Sequence, residues 1–163
     1  MNKKITEVSN GPILKCISGD SEMYLDPIDG VVNIKSVAPG TNDPDFDRYS
    51  TMGCPYTNGT FVCVSEVIVD VKLRTLLSKT GRDLDSLSFT EAQIVQFLNK
   101  YDSWIKDDGY DILFVWKVSE VVGVVGVYKS GDLKTTAVMY TINYDRVFRA
   151  AHGVRLVCPC KMY

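Results

Sequence analysis

Two cysteines bracket a proline in the stretch AAHGVRLVCPCKMY, and the single histidine of the chain, His152, lies six positions before the first of them. Thiols can hold a metal, exchange disulfides or attack an electrophile. Zinc would need four ligands, and Cys54, Cys63, Cys158 and Cys160 are the set to consider. Structural zinc sites draw their ligands from knuckles with two to four residues between cysteines. Cys54 and Cys63 are too far apart for that, and Cys158 and Cys160 too close. Cys63 and Cys158 also sit in runs of valine and leucine, the setting of inert thiols. Free thiols are therefore expected, with Cys63 and Cys158 buried and reduced and no metal bound. A cysteine nucleophile would need His152 as its base, and His152 reads instead as a surface residue in the turn before Gly153.

A second polar cluster is NDPDFDRYS. Asp43, Asp45 and Asp47 alternate, followed by Arg48 and Tyr49. Such carboxylates can collect a hard cation, but a calcium loop would place Gly where Arg48 stands and Glu where Cys54 stands. The pattern reads as a solvated turn, and these residues are the ones to examine for a ligand site. Gly123-Val-Val-Gly126 lacks the Lys-Ser/Thr of a phosphate loop and opens no helix. Glycines inside a strand mark a bulge or a close backbone contact; on a surface they would make a flat apolar strand suited to another subunit. No catalytic or cofactor-binding residue is assigned.

The elements that must position these groups follow from periodicity. TFVCVSEVIVDVKL alternates as a strand, with Phe61, Cys63, Val67, Val69, Val71 and Leu73 on one face. SFTEAQIVQFLNKYDSWIKDDG is the clearest helix. Ser88 and Glu91 have capping-box spacing, Ile94, Leu98, Tyr101 and Ile105 form one stripe, and Gly109 stands where a C-terminal cap belongs. The helix is placed at about 89–107. YDILFVWKVS reads as a strand, VVGVVGVYKSGDLKTTAVMYTINY as a hairpin turning at Ser130-Gly131-Asp132, and Val154 to Cys158 as a last core strand ended by Pro159. Gly153 to Val157 resembles the closing strand of lectin-like domains of bacterial surfaces and phage tail tips. It does so over five residues only, and the Trp- and Gly-rich core of such domains is missing.

The first third is turn-rich, with short strand-like pieces at Ile13–Ser18, Glu22–Leu25 and Val31–Val37. The expected fold is α+β: an antiparallel or mixed β-sheet packed against one main α-helix, with a turn-rich N-terminal arm. Residues 1–55 form the arm or meander and 56–163 the compact body, one domain overall.

Composition narrows the function classes. The chain has 18 basic and 20 acidic residues, a net charge of -2, and no basic run, so nucleic acid is not the expected partner. No apolar stretch is long enough to span a bilayer, and no signal peptide is seen. The chain is expected in the cytoplasm on synthesis, where five cysteines stay reduced. The expected function is a non-enzymatic structural or interaction protein that assembles with itself or with other proteins. Its narrower form is a virion component, an accessory protein of a phage capsid or tail. The alternatives are a small ligand-binding domain or enzyme with its site around Asp43 to Arg48, and a zinc-stabilised adaptor.

Overall fold

A computed structural model describes residues 12–19, 23–30, 32–50, 56–105, 111–118, 121–131, 134–142, 145 and 147–160. Its centre is a mixed sheet of eight strands. The middle of that sheet is β8 (Ile112–Val118), whose residues from Ile112 to Trp116 are all buried. A strand so uniformly apolar must be covered on both sides. Ile112, Phe114, Trp116 and Val118 enter one core, and Leu113 and Val115 a second one on the opposite face. β9 (Val121–Lys129) pairs antiparallel with β8, and β10 (Thr135–Tyr140) with β9. On the other side of β8 run β12 (Arg155–Pro159) and the short β7 (Ser88–Phe89), both parallel to it. β5 (Thr60–Val67) pairs antiparallel with β12. β1 (Leu14–Cys16) and β2 (Met23–Leu25) both pair antiparallel with the far side of β5. Two small ladders lie outside this sheet: β3 (Ile28–Asp29) with β4 (Tyr56–Thr57), and β6 (Val71–Lys72) with β11 (Val147–Phe148).

The fold is sheet-dominated, and among the described residues four short α-helices cover it from both faces rather than one main helix from one. α1 (Asp45–Ser50) and α4 (Glu91–Lys100) serve the first face, α2 (Leu73–Ser78) and α3 (Leu84–Leu87) the second. The main helix is shorter than the apolar stripe implies. Ser88 and Phe89 are drawn into the sheet beside Val115 and Trp116, so the helix starts two residues later. Thr90, not Ser88, is its N-cap, in a reciprocal capping box with Gln93. It ends at Tyr101 and passes into a 3-10 turn, Asp102–Trp104. The stripe itself faces the sheet: Ile94, Leu98 and Ile105 are buried and Tyr101 is half-buried. Residues 106–110, with the expected cap Gly109, lie outside the described residues.

The long strand expected through Leu73 breaks after Val67. Ile68 and Val69 are exposed, Val71 and Lys72 pair separately with β11, and Leu73 opens α2. Of the strand-like piece expected at Val31–Val37, the described residues 32–37 contain a 3-10 turn, Ile34–Ser36, in place of a strand. The described residues of the first fifty pack on the rest of the chain. Leu25, Ile34, Ala38 and Phe46 are fully buried in the first core. The Ile34 N–H donates to the Glu91 carboxylate at 2.7 Å, and Lys100 donates to the Tyr24 carbonyl at 2.7 Å.

β10 ends the sheet on one side, and the chain seals that edge itself. The Gly40 N–H donates to Thr135 O at 3.0 Å, the Ala137 N–H to Thr41 Oγ1 at 3.0 Å, and the Met139 N–H to Asp43 Oδ2 at 3.1 Å. An edge strand left bare is a template for unwanted pairing. Gly40 is needed because a Cβ there would collide with the Thr136 side chain. Among the described residues, no helix is long and apolar enough to cross a membrane.

Candidate functional site

Four of the five cysteines share one region of the second sheet face. Cys63 stands directly opposite Cys158 in the β5–β12 ladder. Side chains alternate along a strand, so Cys160 lies on the same face as Cys158. The Cys160 N–H donates to Phe61 O at 2.7 Å, which keeps it in register with β5. Cys16 stands opposite Ser65, the residue two beyond Cys63 on the same strand. The Cys63 thiol donates weakly to the Cys158 carbonyl at 3.8 Å. None of these four cysteines is in a disulfide.

Their environments differ. Cys158 is buried, Cys63 and Cys160 are half-buried and Cys16 is exposed. Burial pushes the Cys63 thiol up to about 12, and the neighbouring sulfurs of Cys160 and Cys158 add to the shift. Burial likewise pushes the Cys158 thiol up to about 11, against the opposing pull of the Arg82 guanidinium. Arg82 is fixed there by bonds to Pro159 O and Ser86 O, both 2.6 Å. Thiolates are the nucleophiles and metal ligands, so both sulfurs are held as thiols at neutral pH. Around them the surface is aromatic. Phe61 is 41 % exposed, and its ring packs against Tyr24 at 4.8 Å.

Of the four thiols weighed for zinc, Cys63, Cys158 and Cys160 share this region. Cys54 lies outside the described residues, and Cys16 appears in this region instead. Among the described residues no group of three or more His, Cys, Asp or Glu side chains is placed to hold a metal ion. His152 is exposed, in a 3-10 turn that Gly153 closes in the left-handed conformation, φ 63°.

The acidic stretch is a helix start rather than an open loop. Asp43 Oδ1 accepts from the Asp45 N–H at 3.0 Å, and its Oδ2 seals β10. Asp45, Asp47, Arg48 and Tyr49 belong to α1. Asp47 pairs with Lys35 at 2.7 Å. The nearby cleft, about 450 Å³, is lined by Gly40, Asn42, Tyr128, Ser130, Lys134 and Thr136. A second one of about 340 Å³ includes Ser36, Leu98, Asp102 and Lys129. Neither is lined by Asp43, Asp45, Asp47 or Arg48.

The glycines of β9 are interior. β9 lies between β8 and β10, so it presents no edge to another subunit. A Cβ on Gly126 would stand 2.7 Å from the Tyr140 ring and 3.1 Å from Asp111 Oδ2. The missing side chain makes room for a 2.6 Å hydrogen bond from the Tyr140 hydroxyl to that carboxylate. Burial raises the Asp111 carboxyl above its usual range, and the Tyr140 bond opposes this. Sequence reasoning missed this pair. The glycine was its one visible signal, and the partners lie elsewhere, Tyr140 on β10 and Asp111 just before β8.

No family model matches the chain, and no curated protein or solved structure is found similar to it.

Proposed function

We propose that this chain is a non-enzymatic interaction protein that assembles with itself or with other proteins through the open corner of its second sheet face. The observation that carries the reading is Phe61, exposed beside Tyr24 on the strand that also carries Cys63. Large aromatic side chains left in water at a sheet corner gain by burial against a partner, and such residues are enriched at interfaces. The turn-rich N-terminal arm does not carry the reading, because its described residues pack on the chain's own core. The narrower virion role rests on composition alone.

The test is mass in native buffer across a range of concentrations. The expected result is a concentration-dependent oligomer whose dissociation constant rises at least about tenfold in Phe61→Ser, roughly the effect of losing 1.4 kcal/mol at an interface. A chain that stays monomeric throughout would overturn self-assembly. A second reading, a ligand-binding domain, is favoured by the polar cleft of about 450 Å³ beside Tyr128 and Lys134. It predicts that Lys134→Ala, not Phe61→Ser, removes binding of an anionic ligand.

A further inference from the structure

We propose that Asn58 is a modification site: the Gly59 amide nitrogen displaces ammonia from its side chain, and water opens the resulting succinimide to leave a carboxylate beside the first turn of α4. Asparagine followed by glycine is the pair in which this ring closes most readily, because glycine has no side chain to shield its nitrogen. Three observations select the pair. Asn58 is exposed, and it and Gly59 lie between β4 and β5, outside either ladder. Among the described residues the Gly59 N–H donates to no acceptor, so no hydrogen bond has to break before it gives up its proton. The glycine is itself demanded by packing, since a Cβ there would collide with the Tyr24 hydroxyl. The fold thus fixes the reactive neighbour while it leaves Asn58 in water. The Asn58 carbonyl accepts from Gln93 Nε2 at 3.4 Å, and Thr57 Oγ1 lies 3.0 Å from Thr90 Oγ1. Thr90 and Gln93 form the capping box of α4, so the new carboxylate arises near the positive end of that helix.

The only co-reactant is water. The Gly59 nitrogen gives up its proton and attacks Cγ of Asn58. A C–N bond forms, the bond from Cγ to Nδ2 breaks, and the amide leaves as ammonia, carrying the proton that Gly59 released. Water then adds to one of the two ring carbonyls. Breaking the bond from the Gly59 nitrogen to Cγ gives aspartate on an unchanged backbone. Breaking its bond to the main-chain carbon gives isoaspartate, whose backbone runs through Cγ and is one atom longer. In sum, one water enters and one ammonia leaves by either route. Each event adds one negative charge at neutral pH.

The experiment incubates the full chain, folded, at mildly alkaline pH, beside the same chain held unfolded in guanidinium chloride. Incubation runs until half of Asn58 has converted in the unfolded sample. Both are then digested at acid pH, where the ring closes slowly, and the aspartyl and isoaspartyl peptides are separated and mapped by mass spectrometry. In the folded chain Asn58 should convert no more than about tenfold more slowly than in the unfolded one, a difference of about 1.4 kcal/mol in barrier. Both aspartyl and isoaspartyl peptides should form, each carrying one heavy oxygen when the water is enriched in it. Asn58→Gln, which would have to close a larger ring, should lose the product. Three results overturn the inference: conversion in the folded chain slowed well beyond tenfold; aspartate alone with no isoaspartate, the mark of direct hydrolysis; or equal conversion at Asn33, Asn42 and Asn99, which no glycine follows.

Discussion

On the first face of the sheet Phe46, Phe89, Phe97, Phe114 and Trp116 supply the bulk of the core; on the second, Leu73, Leu76, Leu77, Leu87 and Leu113 do, with Phe148 buried among them and Tyr140 packed half-buried against it. The first face is also the better closed. Phe114 meets Phe89 and Phe97 edge-on, with ring centroids 5.9 and 5.2 Å apart, and Phe46 stacks on Trp116 at 5.6 Å. α4 and the 3-10 turn at Ile34–Ser36 lock over them, joined through Glu91. The second face has two short helices, and towards β5 and β1 it gives way to half-exposed sulfur and an exposed phenylalanine. The difference teaches where folding and recognition part. The aromatic layer holds the chain together, and the proposed reading assigns recognition to the thiol corner.

The sharpest way to break this comparison is to truncate one side chain on each face. Phe114 is fully buried between two rings, so Phe114→Ala should cost about 3–5 kcal/mol, the transfer of a phenyl group plus the cavity it leaves. Cys63→Ala, at the open corner, should cost less than about 1 kcal/mol. Urea unfolding of both variants measures the gap. Equal losses would mean that the corner is as closed as the aromatic layer, and the interaction reading would lose its surface.

The sequence makes one face legible and conceals the other. The aromatic, β-branched run of β8 and the spacing of Ile94, Leu98 and Ile105 mark the first core. The second core was hidden because Val67, Val69, Val71 and Leu73 keep the alternation of a strand while the backbone bends. Leu73, Leu76 and Leu77, at spacings of three and one, carry the helical signal that overrides it. Asp43-Pro44 likewise announces a helix start, an acceptor followed by a residue with no N–H to satisfy. At the thiol corner, period two puts Cys158 and Cys160 on one face. That Cys63 faces them is a matter of register between strands about 95 residues apart, which no local pattern encodes.

A smaller effect tests how α4 is held over the aromatic face. Thr90 Oγ1 accepts from the Gln93 N–H, and Gln93 Oε1 accepts from the Thr90 N–H. Thr90→Ala should cost about 1 kcal/mol by chemical denaturation. Ser88 belongs to β7, and Ser88→Ala should cost less. The reverse order would restore the helix start at Ser88 and undo the placement of Phe89 in the sheet.

The smallest effect belongs to the second face and appears only in alkali. The folded state holds the Cys158 proton up to about 11, against an ordinary 9.0, and the Cys63 proton up to about 12. The native chain therefore keeps protons that the unfolded chain releases above about pH 9. By linkage, stability falls as pH rises wherever the folded state binds more protons. The contribution of these thiols is full below pH 9 and is lost progressively as pH climbs through 11. Lysines and tyrosines titrate in the same range, so the informative quantity is a difference between variants. Cys158→Ala removes one of the two groups and should show a shallower decline in urea midpoint between pH 8 and about 10.5 than the parent chain. Phe114→Leu, confined to the aromatic face, should run parallel to the parent at both values. If Cys158→Ala also runs parallel, the sulfur is as well hydrated in the folded chain as in the unfolded one. The second face would then be open as far as Cys158, well inside the corner drawn by Phe61, Cys63 and Cys160.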